Sequence, residues 1–482
     1  MQAPLKKAVL VGIQLPKISS FELQASLDEL TRLVTTLGYT VIGQVTQKRS
    51  SDRSASILGD GKLKELAQWT NGSGEIAAVV DRKLSKAAEK WKQEKEHDLD
   101  EDTLLNSDQE RRLELETDED LENDSQPQSS IPADKIGAAD IVIVDTDLSP
   151  SQIRNLESAT GVTVLDRTGV IIEIFSRHAR TRAARLQVEI ARLTYVAPRL
   201  RETGGGEDRG GGGVGGKGAG ESALELDKRK IRDRIKELKI ELASIGNEHE
   251  VRRARRQQEI SVALVGYTNA GKSSLMRAMT GSEVLVADKL FATLDTTIRP
   301  LHPETRPKVL LSDTVGFIKK LPHDLVASFK STLDEALNAS LLLFVVDSSD
   351  PSFRSQLEVT QKVLGEVGAN ETPSLLVLNK RDRLTPEHAQ ELKTEYPDAI
   401  MISTRDKDDL KHLRDKIMSY FETDMQDEDI FIPYTAKGII GEIRGKMKVL
   451  SESYDEKGVN LRVRSHVETI TNLKKKIATN KP

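Results

Sequence analysis

The sequence predicts an α/β fold: a mostly parallel sheet with helices on both faces, preceded by a small α/β domain with a long helical hairpin and followed by a small α/β tail domain. Three observations carry this expectation. Apolar runs at residues 262–265, 309–311, 341–346 and 375–378 are nearly continuous, as strands covered on both faces of a parallel sheet must be. The first of them breaks into a turn of glycine and small polar residues before a helix-period stretch, the arrangement that opens a βα unit. Upstream, two charged helix-period stretches flank a loop dominated by glycine. At 482 residues the chain exceeds what one core holds, and about 150 residues per domain argues for several units.

In chain order, strand-like runs at residues 8–13, 40–45 and 76–80 surround a helix-period stretch at 21–37. Residues 141–144 and 162–165 add two more strands, and Ser149 or Ser151 beside Pro150 can start the helix between them. These elements make up a first domain, residues 1–165. Residues 83–135 interrupt it with a strongly acidic segment that has almost no aromatics and ends in a Gln/Ser/Pro tract. Such a segment cannot bury enough apolar surface to offset its ordering entropy, so it is expected to be a solvated insertion.

The hairpin is expected over residues 166–258. Residues 170–200 keep one helical period, with Arg177, Arg180, Arg182, Arg185 and Arg192 on one face. The glycine loop at 204–220 carries Arg209 and Lys217, and residues 223–258 return to a basic helix. A charged helix face is ordinarily only a solvated face. Two basic helices joined by glycines that permit close backbone approach also fit an RNA-facing hairpin, through Arg177, Arg180, Arg182, Arg185, Arg209 and Lys217. Residues 259–422 hold the motif-bearing domain. Residues 423–482 form the tail, with strands at 430–432 and 459–463 around a helix at 436–450.

The turn after residue 265 reads Gly266, Tyr267, Thr268, Asn269, Ala270, Gly271, Lys272, Ser273, Ser274. Its glycines let successive backbone N–H groups point at phosphate oxygens at the start of the following helix. Lys272 would reach the β- and γ-phosphates and the Ser273 hydroxyl would ligate Mg²⁺. Some forty residues on, Asp313 ends an apolar strand and can hold the Mg²⁺ shell, while the N–H of Gly316, beyond Thr314 and Val315, can meet the γ-phosphate. Further on, Asn379, Lys380 and Asp382 end another strand. The Asp382 carboxylate can accept the two N–H donors at N1 and N2 of guanine, which adenine does not offer as a pair, so the nucleotide is expected to be GTP.

Between these points lie Phe291, Ala292, Thr293, Leu294 and Asp295, where a hydroxyl must come to the metal and the γ-phosphate. Thr293 is chosen, with Thr296 and Thr297 as competitors. Ser403, Thr404 and Arg405 would contact the base from the last loop. Lys272, Thr293 and Gly316 are the candidate catalytic groups, and Ser273, Thr293 and Asp313 the candidate metal ligands. Phe317 stands where many GTPases place a glutamine that orients the attacking water. Two readings follow: GTP is bound and scarcely hydrolysed, or the water is held by backbone, Mg²⁺ and a partner's groups. The second is preferred because the phosphate and metal ligands are complete. Asn269 could in addition hold K⁺ near the phosphates, or merely stabilise the turn.

The formal net charge of −5 gives no global case for nucleic-acid binding, which makes the local clusters the relevant feature. The chain has no cysteine, which excludes a disulfide framework, a thiolate metal site and a Cys nucleophile. No apolar stretch approaches the roughly 20 residues of a membrane span, so a soluble, cytoplasmic protein is expected; a monomer is the working expectation, although no residue pattern fixes the oligomeric state.

With these residues assembled, the sequence resembles the HflX family of ribosome-associated GTPases. GYTNAGKSS, LFATLD, SDTVGFIKKLPHDLV and NKRD resemble its G domain, and ILGDGKLKEL, LSPSQIRNLE, VLDRTGVIIEIFSRHARTRAARLQVEIARL and GGGVGGKGAGESALELDKRKI its N-terminal region. The resemblance implies GTP hydrolysis stimulated by the ribosome, engagement of the large subunit and its rRNA by the hairpin, and splitting of stalled or idle ribosomes under stress. A GTP-gated ribosome-assembly or RNA-binding factor with little intrinsic hydrolysis is the alternative. The acidic insertion, Ala183-Ala184-Arg185, Lys217-Gly218-Ala219-Gly220 and Thr404-Arg405 depart from the family's usual pattern.

Overall fold

The computed structural model describes residues 6–52, 54–76, 132, 135–200, 223–256, 260–281, 290–291, 296–320, 336–369, 371–423, 425–434, 436 and 438–479. The chain divides into two compact units, Met1–Ile174 and Phe175–Pro482.

In the first unit, β1 (Lys7–Gln14), β2 (Thr40–Lys48), β3 (Ile141–Val144) and β4 (Thr163–Asp166) form a parallel sheet in the order β2-β1-β3-β4. Helix α1 (Ser20–Thr36) starts at a capping box in which Ser19 and Glu22 satisfy each other's backbone N–H, and it buries Leu23, Leu27, Leu30 and Leu33 along one face. The strand period of two sends alternate residues of β1 to opposite sides. Gly12 lies against Leu27 of α1, whereas Val9 and Val11 join Leu63, Leu66 and Trp69 of α2 (Asp60–Thr70) and Leu156 of α3 (Pro150–Thr160). The cap of α3 is Ser149, whose side chain accepts from Gln152 N. The strand expected at 76–80 and the acidic insertion at 83–135 lie almost wholly outside the described residues.

Strand β4 runs directly into α4 (Arg167–His178). Arg167 is buried and would be costly there unpaired. Its guanidinium donates to Asp145 Oδ1 at 2.7 Å and to the Glu29 carboxylate, and Ser26 Oγ donates to Asp145 Oδ2 at 2.6 Å. Polar satisfaction, invisible in the apolar periodicity, thus ties α1, β3 and α4 together.

The single helical stretch expected at 170–200 is broken. Helix α4 ends at His178, and α5 (Arg182–Val196) starts afresh with Thr181 as its N-cap, accepting from Ala184 N at 3.1 Å. The hydrophobic period runs through this corner without a mark, because both helices bury apolar residues; only the threonine's capping chemistry signals it. Helix α6 (Ala223–Arg256) returns antiparallel to α5, with Leu186 and Ile190 packed on Leu238 and the flanking Ile235, Leu242 and Ile245. Arg182 pairs with Glu241 and Arg234 with Glu189 across the two helices.

The central sheet has the order β10-β9-β8-β5-β7-β6. Strands β5 (Ile260–Val265), β7 (Val309–Asp313), β8 (Leu341–Asp347), β9 (Ser374–Asn379) and β10 (Ile400–Met401) are parallel, and β6 (Thr297–Pro300) pairs antiparallel with β7 at the edge. Helices α7 (Lys272–Thr280) and α10 (Lys407–Glu422) contribute Leu275, Met276, Leu413 and Ile417 to one core, and α8 (Phe353–Val367) and α9 (Pro386–Glu395) contribute Phe353, Leu357 and Leu392 to another. All five loops that end the parallel strands therefore gather along one sheet edge, where open α/β sheets receive ligands.

In the tail, β11 (Gln426–Pro433), β12 (Lys448–Asp455) and β13 (Gly458–Ser465) form an antiparallel sheet ordered β11-β13-β12, packed on α11 (Ile439–Lys446) and α12 (Val467–Thr479). The helix expected at 436–450 is shorter: Met447 is already extended, and the chain from Lys448 pairs with β13 as a hairpin closed through Glu456 and Lys457. Backbone pairing with β13 overrides local helix preference there.

Candidate functional site

Strand β5 delivers the predicted phosphate loop to the C-terminal edge of the sheet. At Gly266, φ is 151° and a Cβ would stand 2.1 Å from Val345 O; at Gly271, φ is 97° and a Cβ would stand 2.2 Å from Asn379 Nδ2. A side chain at Gly266 would have to move the β8 backbone, and one at Gly271, where the backbone conformation already disfavours it, would have to displace the Asn379 amide. Asn269 also takes a left-handed turn conformation, with φ 61°. Helix α7 begins at Lys272, so the N-terminal N–H groups and positive dipole end of that helix stand at the loop.

Lys272 is buried, and its ammonium donates to Gly266 O at 2.9 Å and Tyr267 O at 2.8 Å. Burial lowers its pKa to about 8, against the opposing pull of the Asp313 carboxylate. Ser273 Oγ donates to Asp313 Oδ2 at 2.7 Å, which brings a hydroxyl and a buried carboxylate to one point. Thr314 Oγ1 anchors the chain beyond Asp313 on Leu264 O at 2.7 Å. Gly316 packs on the loop: a Cβ there would meet Thr268 Cγ2 at 2.8 Å and Lys272 Nζ at 3.1 Å. Lys272, Ser273, Asp313 and Gly316 are thus brought together from two segments, the start of α7 and the end of β7 with the residues that follow it.

The base loops close on the same edge. Asn379 Nδ2 donates to Ala270 O at 2.9 Å, and Lys380 Nζ donates to Asn269 O at 2.9 Å and Asp347 Oδ2 at 2.6 Å. These bonds tie the end of β9 to the phosphate loop. Asp382 accepts from Ser403 Oγ at 2.7 Å, and this hydroxyl, followed by Asp382's own backbone N–H and the cations Arg405 and Arg383, holds the carboxylate below the usual range. Arg405 NH1 stands 3.7 Å from Asp382 Oδ2 and is largely exposed. Thr404 lies between Ser403 and Arg405 on the loop after β10.

Thr293, Ala292, Leu294 and Asp295 lie outside the described residues, as do Arg209 and Lys217. Thr297 is in β6, opposite Asp313. Phe291 is buried with φ 57° and packs edge-on against Phe175, ring centroids 4.5 Å apart. Arg177, Arg180, Arg182 and Arg185 are exposed around the corner between α4 and α5 rather than along one helix. Sequence reasoning missed Asp347, the ion partner of Lys380; Asp409, which accepts from Ser403 N at 2.7 Å; and the hydroxyl of Tyr267, which accepts from Lys319 N at 2.6 Å. Asp347 had a readable signal, since it ends the apolar run of β8 as Asp313 ends β7.

Comparison with known proteins adds three family models: "GTP-binding GTPase N-terminal" over residues 24–98 and 131–176, "GTP-binding GTPase Middle Region" over 178–256 and "50S ribosome-binding GTPase" over 261–380. The GTPase HflX of Gluconacetobacter diazotrophicus is 54% identical over 475 residues, covering 98% of each chain. That of Caldanaerobacter subterraneus subsp. tengcongensis is 37% identical over 459 residues, covering 95% of this chain and 90% of that one. That of Escherichia coli is 45% identical over 252 residues, 52% of this chain and 59% of that one. Among solved structures, a GTP-binding protein from Sulfolobus solfataricus in complex with GDP matches with TM-score 0.40 and 23% identity, over 86% of this chain and 98% of that one.

Proposed function

The chain belongs to the HflX family of GTPases, and from that premise we propose that it hydrolyses GTP in response to the large ribosomal subunit and so splits or rescues stalled or idle ribosomes under stress, in the cytoplasm. One observation carries the reading of the site: Lys272, Ser273, Asp313 and Gly316 meet at the phosphate loop while Asp382 and Ser403 stand on the adjoining loops of the same sheet edge. In this reading Lys272 binds the β- and γ-phosphates, Gly316 N–H meets the γ-phosphate, and Asp382 accepts from guanine.

Ser273 and Asp313 present hard oxygen donors side by side, which suits Mg²⁺, an ion that takes one or two protein oxygens and completes its shell with phosphate and water. Among the described residues no group of three His, Cys, Asp or Glu side chains could hold another metal. Mg²⁺ held there, with Thr293, would neutralise charge on the β- and γ-phosphates. For Asn269 we propose a contact to K⁺ beside the phosphates; equal hydrolysis rates in potassium and sodium buffers would exclude it.

The hairpin supports an RNA-facing role for a reason that charge counting does not supply. Arg182 and Arg234 are paired with Glu241 and Glu189, but Arg232, Lys236 and Lys239 line one open face of α6 with Ile240 and have no ion pair among the described residues. Phosphate release should rise when large subunits are added to the full chain. Charge reversal of Arg232, Lys236 and Lys239 together should weaken subunit binding by about tenfold or more and flatten its salt dependence, since each phosphate contact contributes a slope of about one. Release without subunits should not change. The absence of a glutamine at Phe317 is the feature that speaks for the alternative, a GTP-gated binder with little intrinsic hydrolysis, and no stimulation at saturating subunits would select it.

A further inference from the structure

We propose that Tyr267 is a positioning residue for GTP hydrolysis, whose hydroxyl latches the segment after Asp313 onto the phosphate loop. The inference rests on the reading that Gly316 meets the terminal phosphate. Three hydrogen bonds form the latch. Thr268 N donates to Phe317 O at 2.8 Å, Phe317 N donates to Gly266 O at 3.1 Å, and Lys319 N donates to the Tyr267 hydroxyl at 2.6 Å. The first two make Tyr267 and Phe317 partners in a parallel bridge. The third comes from a side chain that is only 4% exposed, and it reaches two residues beyond the bridge.

The geometry explains how Phe317 can stand where a glutamine would act. It works through its backbone N–H and C=O, with its ring buried, and not through chemistry at the ring. Between the anchors at Asp313 and at Phe317–Lys319 the chain has little freedom, so Gly316 stays beside Lys272. Two groups that must meet one phosphate are thereby held at a set spacing before it arrives, the condition under which fixed donors act best. Of the three latch bonds, only Tyr267's uses a side chain, so it alone can be removed by substitution without touching the backbone.

Tyr267→Phe removes the hydroxyl and keeps the ring. The full chain and this variant are compared with saturating large subunits. The maximal rate of phosphate release should fall about fivefold, from loss of one buried hydrogen bond that orients the segment, while KM for GTP and affinity for GDP stay within about twofold of the parent. Backbone amides of residues 316–320 should exchange faster with deuterated water. Faster exchange with an unchanged maximal rate would overturn the positioning role, leaving the bond merely structural. Unchanged exchange would overturn the latch itself. If the parent chain releases no phosphate with subunits, the hydrolysis reading fails, and the exchange arm still decides whether the latch exists.

Discussion

Lys272→Ala should lower GTP hydrolysis by about 10³-fold, the largest effect of any single substitution in this protein. The ammonium is the one cation buried at the phosphate loop among the described residues, and it is aimed by two backbone carbonyls at 2.9 and 2.8 Å. Removing a single preorganised donor from an oxyanion site costs roughly 10²–10³ in rate, and here a full charge goes with it. Phosphate release within about tenfold of the parent would refute the assignment. A pH test follows from the same burial. Free Lys272, with its pKa lowered to about 8 by desolvation, is partly neutral just above that pH. Anionic phosphates favour the ammonium and raise its pKa in the complex. The lysine's contribution to GTP affinity is therefore complete below about pH 8 and is lost as pH rises through the higher pKa of the complex. Titration calorimetry at pH 8 in two buffers of different ionisation heat should register proton uptake on binding; identical heats after correction would contradict it.

Asp382→Asn should weaken GTP binding by about 10²-fold or more and remove the preference for guanine. The carboxylate is an acceptor only, held ionised chiefly by the Ser403 hydroxyl, and guanine supplies the two donors it lacks. An amide turns one acceptor into a donor and sets it against a guanine N–H, and a polar group mispaired beneath the bound base is the costly case. A base with a carbonyl at position 2, as in xanthosine triphosphate, should instead be accepted. The fold should persist, since Ser403 keeps its backbone bond to Asp409. Unchanged selectivity among guanosine, xanthosine and adenosine triphosphates would sink the base assignment.

How much of this could be read in advance differs by kind of residue. Backbone cradles announce themselves, because Gly266 and Gly271 sit where no side chain fits and the types on either side are dictated by phosphate chemistry. Sheet strands were legible as apolar runs, and β8 and β9 extend to the polar residues that end them. The corner at Ala179–Thr181 was not, since α4 and α5 keep one apolar period through it. Strand β6 was missed for a related reason: four residues at a sheet edge, ending in proline, carry no alternation to detect.

Partners across the sheet were equally hidden. Asp347 with Lys380, Asp145 with Arg167 and Tyr267 with Lys319 are separated by 33, 22 and 52 residues, and nothing local pairs them. Sequence by itself determined the guanine-nucleotide chemistry of the motif domain and the order of its parts, because phosphate, metal and base each demand particular groups at strand ends. The tertiary structure alone decided which of the described charges on α6 pair with α5 and which do not, and that the backbone of Phe317 is bonded to the phosphate loop. Both depend on which distant residues the fold brings within hydrogen-bonding distance, and a linear pattern carries no record of that.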